Sequence, residues 1–325
     1  MLVKLRKDKT TGVANRCNNQ ANANGGSLIS VYKKVFKEGG CAIKLNRSQV
    51  AKMKLDVAIE SVEEDQLVHA SGCNIQADGS CSVSAPTWGL NRIDQCSLPL
   101  STSSAFQKMP AKDVRVFILD TGVNGNHQEF TGMIGPDDGT CHWTNYPEEG
   151  SALNDGQGHG THVAGIVAGE TYGVAYCHTS NNNCDLCAVK VLSSSGGGTI
   201  VGVIDGLEHV MTNCPNGKKC IANMSFGGGL SSALNEAVDS VVASGITVVV
   251  AAGNEGTDAC SKSPASAGSA ITVGATQQSD APSDFSNYGS CVNVWSPGSS
   301  ITSAWIGSNT MIATISGTSM ASPRK

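Results

Sequence analysis

Apolar runs without regular alternation dominate the chain after residue 110. The strongest are 114–119, 187–192, 220–225 and 246–252, and each is short enough to be a strand. Strands that lack an alternating polar face are buried on both sides, as in parallel sheets covered by helices. Helical spacing appears at 199–211 and at 231–244, where Gly245 closes the helix. Shorter elements are predicted at 163–168 (helix), 270–275 and 292–295 (strands). The pattern predicts an α/β fold with a parallel sheet flanked by helices.

A smaller unit is predicted ahead of this region, over residues 1–72. Strand-like segments lie at 1–7, 27–36, 41–45 and 57–62, and the segment 46–55 has a capping start and helical spacing. With the polar, asparagine-rich stretch after the first strand taken as a helix, the order is β-α-β-β-α-β, the ferredoxin-like pattern. Residues 73–86 follow as a polar linker, the kind of exposed segment that proteases cut. The large domain then occupies residues 87–325.

Composition narrows the class of protein. The 38 glycines and 15% charged residues are typical of a compact, loop-rich α/β protein. A formal net charge of -5 and a pI of about 5.8 argue against a nucleic-acid partner. No apolar run approaches the ~20 residues that span a bilayer, so no membrane segment is predicted. Thirteen cysteines indicate an oxidising, extracellular setting, although no signal peptide opens the chain.

Four residues suited to acyl transfer follow one another along the large domain. Asp120 and Asn254 each come after a predicted strand, and sites in parallel sheets lie beyond the carboxyl ends of the strands. His159 lies in a Gly- and His-rich turn. Ser319 lies at a predicted helix start, where unpaired N–H groups favour negative charge. Peptide hydrolysis needs a nucleophile, a base, a group that orients the base and donors for an oxyanion. The order Asp, His, Ser is one of the known orders of that triad.

These segments resemble the signature blocks of the subtilisin-like serine peptidases, in particular the proteinase K branch. The blocks read ILDTGV, NDGQGHGTHVAG, VVVAAGNEG and SGTSMASP, and the likeness extends over residues 88–323. It implies that Ser319 is the nucleophile, that His159 is the base and that Asp120 orients this base. Asn254 and the Ser319 N–H would hold the oxyanion.

The resemblance also implies a primary specificity pocket with two walls and an edge segment that pairs with an extended peptide. The implied residues are Ser225, Phe226 and Gly227 for one wall, Ala251, Ala252 and Gly253 for the other, and Ser194, Gly196 and Gly198 for the edge. Small residues on both walls predict a broad, mainly apolar specificity. Glu255 is expected at the rim, either favouring a basic residue or simply solvated.

Metal binding is a competing interpretation of some of these residues. His159 and His162 are three apart, but the chain lacks the glutamate of an HExxH motif, so zinc is disfavoured. The resemblance implies a calcium site, where asparagine in place of an aspartate removes a charge. Its residues would be Gly268, Ala270 and Asn293. Calcium is therefore expected only as a weak structural ion, and no cofactor is required. Asp155 is interpreted as a turn residue.

The cysteines suggest disulfides. Cys184 and Cys187 form a CxxC without a second such pair, which favours a disulfide between them or with nearby Cys177 over a zinc site. Cys214 and Cys220 are close enough in sequence to close a small loop. The resemblance implies a further pair between Cys260 and Cys291.

Together these features predict a secreted, monomeric serine endopeptidase that acts on proteins or peptides. Residues 1–72 are similar to the inhibitory propeptide of the family, which would block the active site until it is cut off in the linker. The alternative is an inactive, truncated relative that acts through its propeptide as an inhibitor or binding module. In the family a long buried helix follows the serine segment, so we expect the natural protein to continue beyond residue 325 and to begin upstream of residue 1.

Overall fold

The N-terminal unit is a small sheet with two helices. The structure, a computed structural model, describes residues 1–8, 11–70, 87–100 and 108–324. The first elements are β1 Leu2–Leu5, α1 Val13–Ala23, β2 Ser27–Tyr32, β3 Gly40–Lys44, α2 Arg47–Met53 and β4 Ile59–Glu63. Their sheet is antiparallel with the order β2-β3-β1-β4, so the predicted β-α-β-β-α-β pattern is confirmed. The predicted processing linker, 73–86, lies outside the described residues.

The bounds of several of these elements differ from the prediction, and two of the differences have clear local causes. Helix α2 starts after Asn46, whose side chain accepts the Gln49 N–H while the Gln49 side chain accepts the Asn46 N–H. Strand β2 ends at Tyr32 rather than at residue 36. The backbone N–H groups of residues 33–35 bond instead to the carboxylate of Glu208 in the large domain, which takes them out of the sheet ladder.

The large domain is built on a central parallel sheet. The chain continues with β5 Leu67–Ala70, α3 Trp88–Ile93, β6 Met109–Pro110, β7 Val114–Asp120, β8 Trp143–Thr144, α4 His159–Ala168, β9 Ala175–Tyr176, α5 Thr179–Asn182 and β10 Cys184–Lys190. It ends with β11 Gly197–Thr199, α6 Ile200–Asn213, β12 Lys219–Met224, β13 Phe226–Gly229, α7 Ser232–Ala243, β14 Thr247–Ala251, β15 Lys262–Ser263, β16 Ile271–Thr276, β17 Val294–Pro297, β18 Ile301–Ala304, β19 Ile312–Ile315 and α8 Thr318–Ala321. Seven strands pair in the order β17-β16-β14-β12-β7-β10-β8, all parallel, as predicted.

Helices cover both faces of this sheet, which explains why the middle of its central strand β7 is apolar on both sides. Along β7, Phe117 and Leu119 pack in one core with residues of α6 and α7, while Val116 and Ile118 pack in a second core with α4. Neighbouring residues of a strand point to opposite faces, so both sets of side chains must be apolar. Within the described residues, no helix is long and apolar enough to cross a bilayer.

Several boundaries around the sheet differ from the prediction, and three of the differences concern the site. Helix α4 begins at His159 instead of residue 163. Strand β10 ends at Lys190, because the N–H groups of the next two residues both bond to the carbonyl of Asp120. The segment 226–229, for which no strand is predicted, is strand β13 of a separate antiparallel sheet. These corrections all fall at the carboxyl edge of the central sheet.

Five disulfides join the described cysteines. The bonds are Cys17–Cys41, Cys141–Cys187, Cys177–Cys184, Cys214–Cys220 and Cys260–Cys291. The CxxC motif is split: its first cysteine bonds to the nearby residue 177, one of the two alternatives, and its second to residue 141, a partner 46 positions away. Cys96 has an exposed free thiol, and Cys73 and Cys81 lie outside the described residues.

Candidate active site

An aspartate and a histidine are in contact at the carboxyl edge of the central sheet. Asp120 is the last residue of β7 and is fully buried. Both of its carboxylate oxygens lie close to Nδ1 of His159, at 2.8 and 2.9 Å. The Thr121 N–H donates to the same carboxylate at 2.7 Å. With its proton on Nδ1, the imidazole presents an unprotonated Nε2, the form that a general base requires.

The charge of Asp120 outweighs the effect of burial on this histidine. Burial alone would lower the pKa of His159, but the Asp120 carboxylate beside it raises that pKa above its ordinary value. Nε2 is a buried nitrogen with no hydrogen-bond partner among the described groups. A base with a raised pKa and a bare nitrogen is suited to take a proton from a hydroxyl group.

The predicted nucleophile lies at the start of a short helix. Ser319 is the second residue of α8 and is buried, and its Oγ donates to the carbonyl of Ser225 at 2.7 Å. In return, Ser225 Oγ donates to the Ser319 carbonyl at 3.0 Å. The predicted nucleophile is therefore bonded directly to a residue of the predicted pocket wall.

Neighbouring Thr318 fixes the orientation of Asn254. The Asn254 Oδ1 accepts the Thr318 N–H at 2.9 Å and the Thr318 hydroxyl at 2.8 Å. Because the oxygen of the amide is engaged there, its NH₂ group is turned to the opposite side. The side chain of Asn254 is thereby held against the residue that precedes Ser319.

Sequence reasoning missed the importance of Asp155. This carboxylate is 6% exposed and accepts five hydrogen bonds at the start of α4. The donors are the N–H groups of Gln157, Gly158 and Thr161 and the hydroxyls of Thr121 and Thr161. Asp155 is therefore more than a turn residue, since it fixes the backbone that carries His159. The sequence signal was an aspartate placed shortly before a helix start.

The predicted edge segment and one predicted pocket wall lie on either side of one strand of the same chain. Strands β11 and β13 both pair with β5, and the four-stranded sheet has the order β11-β5-β13-β15. Gly197 and Gly227 are both opposite residue 69. The predicted edge segment and one predicted pocket wall thus belong to the same sheet, and strand β5 lies between them.

The residues predicted for the other wall and its rim are held by contacts of their own. Residues 251–253 continue from β14, and the Ala252 N–H bonds to the carbonyl of Val273. Glu255 is neither simply solvated nor unpaired, because its carboxylate accepts from Asn287 at 2.8 Å and lies 3.2 Å from Lys262 Nζ. Burial would raise the pKa of Glu255, but these two partners keep it below its usual value. The charge at the rim is therefore compensated.

The residues considered for metals have other partners. His162 Nε2 is 3.1 Å from the carbonyls of both Ile301 and Ala313, and burial lowers its pKa to about 3. Asn293 Oδ1 accepts the Thr272 N–H at 2.7 Å. Together with the carbonyls of residues 268 and 270 it offers only neutral oxygens, whereas calcium affinity rises with ligand charge. Calcium therefore stays a prediction of weak binding.

A seven-stranded parallel sheet with aspartate, histidine and serine at its carboxyl edge is typical of subtilisin-like serine peptidases. The profile described as the subtilase family matches residues 111–324, and the chain belongs to this family. It is 42% identical over 299 residues to the extracellular serine proteinase of Thermus sp. (strain Rt41A), covering 92% of this chain and 67% of that protein. It is 39% identical over 303 residues to proteinase R of Parengyodontium album, covering 92% and 70%.

A solved structure agrees with this assignment. The crystal structure of a cold adapted subtilisin-like serine proteinase is 43% identical, has a TM-score of 0.65 and covers 74% of this chain and 82% of that chain. The chain spans about two thirds of the length of these curated relatives.

Proposed function

We propose that the chain is a serine endopeptidase that cleaves proteins or peptides with Asp120, His159 and Ser319 as its triad. The observation that carries this proposal is the two-oxygen contact between Asp120 and His159 Nδ1, which directs the bare Nε2 away from the aspartate. The alternative of an inactive relative is not favoured, because the proteins it resembles are named as proteinases.

In the proposed reaction His159 Nε2 takes the proton of Ser319 Oγ as the oxygen attacks the scissile carbonyl. Asp120 stabilises the imidazolium, which gives the proton to the leaving amine as the C–N bond breaks, and water then hydrolyses the acyl-serine and restores the Ser319 hydroxyl. The Asn254 amide and the Ser319 N–H donate to the oxyanion. Losing one such side-chain donor costs about 10²–10³ in kcat, a figure measured in subtilisin itself.

The substrate is proposed to bind as an extended strand between β11 and β13. The two edges already accept such a strand, because residues 67–70 pair with both. Glycines and alanines at 227 and 251–253 leave room for a broad, mainly apolar residue before the scissile bond. Lys262 compensates the charge of Glu255, which fits that preference.

Residues 1–72 are proposed to act as an intramolecular inhibitor. The unit is bonded to the starts of both long helices of the large domain: Asp65 accepts the Val201 N–H at 3.0 Å, and Glu63 accepts from Ser231, Ser232 and Ala233. Its last described residues, in β5, occupy the strand position proposed for substrate. Processing within 73–86 in a secreted, monomeric zymogen would complete the scheme.

Covalent labelling tests the proposal. A fluorophosphonate should label the processed chain on Ser319 and should leave a Ser319→Ala variant unlabelled. The wild-type chain should also acquire a new N-terminus within 73–86, which the variant should not. A folded wild-type preparation without labelling would refute the enzyme proposal, and identical processing of both chains would refute self-cleavage.

A further inference from the structure

Glu149 lies beside the active site and has no role in the triad. It ends a short 3-10 helix, Pro147–Glu149, and its side chain is 25% exposed. One of its oxygens, Oε2, accepts the Ser194 N–H at 2.8 Å and the Ser194 hydroxyl at 2.7 Å. The same oxygen lies 3.1 Å from Lys190 Nζ. A single carboxylate oxygen therefore contacts both the edge segment and a lysine.

Lys190 connects this contact to the strand that carries the catalytic aspartate. Its side chain is fully buried, and its Nζ also donates to the Thr121 carbonyl at 2.5 Å. Lys190 is opposite Asp120 in the central sheet. An ammonium group without exposure needs a nearby anion, and Glu149 supplies it. Burial would raise the pKa of Glu149, but Ser194 and Lys190 keep it below its usual value, so the carboxylate stays charged.

Ser194 is part of the turn that leads into β11. The Ser193 N–H bonds to the Gly197 carbonyl, and the Gly196 N–H bonds back to Ser193. Tyr146, from the same loop as Glu149, donates its hydroxyl to the Gly197 carbonyl at 3.3 Å. The loop that carries Tyr146 and Glu149 is therefore hydrogen-bonded to this turn at two points. The chain then enters β11, which pairs with β5.

We propose that Glu149 is a positioning residue that holds β11 in register for pairing with the backbone of an extended peptide. This inference rests on the proposed peptidase function and specifies its substrate class: peptides long enough to reach β11. Glu149 acts through Ser194 and does not touch the peptide. A substrate that occupies only the primary pocket does not contact β11, so its KM and kcat should not depend on Glu149.

Kinetics with two substrate lengths test the proposal. Glu149→Gln keeps the shape of the side chain but removes the charge, and Glu148→Gln is the matched control on the adjacent exposed carboxylate. For a substrate with four residues before the scissile bond, Glu149→Gln should raise KM about tenfold with kcat nearly unchanged, because charge-assisted hydrogen bonds are lost. A single-residue ester and the control variant should show no such change. Equal effects on both substrates, or none on the long one, would overturn the proposal.

Hydrogen exchange gives a test that is independent of catalysis. In a Ser319→Ala background of the full chain, Glu149→Gln should speed exchange of the β11 amides about tenfold while β12 amides keep their protection. In the single variant, the unpaired charge of Lys190 could loosen the whole domain, and β12 would then lose protection as well. The double variant Glu149→Gln/Lys190→Met removes that buried charge. It should restore the protection of the β12 amides but not that of the β11 amides. Unchanged β11 exchange in both variants would exclude a positioning role even if no activity were measured.

Discussion

Ser319 and Ser225 each donate a hydroxyl hydrogen bond to the other's backbone carbonyl, at 2.7 and 3.0 Å. The proposed nucleophile is thereby tied to the wall of the proposed pocket. Ser225 Oγ also accepts the side-chain amide of Asn223 at 2.9 Å, and it lies 2.9 Å from the hydroxyl of Ser322. One hydroxyl thus connects the central sheet to the start and the end of the segment that carries Ser319.

Ser225→Ala should destabilise the protein by about 1–3 kcal/mol, because it leaves the buried Asn223 amide without its acceptor. We also expect kcat to fall, since Ser319 loses one of the bonds that place its backbone. Urea unfolding in a Ser319→Ala background measures the first effect, and peptide hydrolysis by the single variant measures the second. Ser308→Ala, in an exposed turn, serves as the control. Unchanged unfolding would mean that the network contributes little.

Asp120→Asn should lower the plateau of kcat/KM by about 10⁴-fold, because His159 loses the partner that sets its tautomer. The pH dependence should change as well. In the wild type the aspartate raises the pKa of His159, and activity falls as pH drops through that pKa and the base becomes protonated. Without the charge, burial prevails and the pKa falls, so the acid limb should move to lower pH. If the acid limb of Asp120→Asn lies at the same pH as that of the wild type, a group other than His159 causes the acid limb.

Glu63→Gln should weaken the hold of the N-terminal unit on the large domain about tenfold, because it removes the charge that caps α7. Activity should then appear after a shorter lag during maturation. Glu64→Gln changes the adjacent exposed residue and should leave the lag unchanged. If both variants mature like the wild type, the acidic contact is not what retains the unit.

Acid should destabilise the fold in part through His162. Its pKa is about 3 in the folded chain against 6.5 for the free side chain, so between these values only the unfolded state binds the proton. Stability should therefore decrease as pH falls from 6.5 toward 3, by about 1.4 kcal/mol per pH unit. His162→Gln keeps a donor for the Ile301 carbonyl and should flatten this slope in urea unfolding. An unaltered slope in this variant would contradict the assignment.

The sequence was informative wherever a pattern is local. Apolar runs predicted the parallel sheet because burial on both faces acts on each strand separately, and strand ends indicated Asp120 and Asn254. Contacts between distant segments leave no such pattern. The pairing of Cys187 with Cys141, the five donors on Asp155 and the double pairing of β5 depend on how loops meet in space. The helix start at His159 was also missed, since glycines around it weaken the helical signal.

The strand β5 is paired along both of its sides, and this pairing also covers the strand edges of β11 and β13 against association with other chains. While residues 67–70 are in place, β11 and β13 present no open edge toward each other. If the proposed processing removes that segment, two strands acquire unsatisfied N–H and C=O groups, the feature that makes sheet edges adhere to other chains. The processed form proposed above should therefore be the more difficult one to store: concentrated without a peptide ligand, it exposes two facing strand edges that are paired in the precursor.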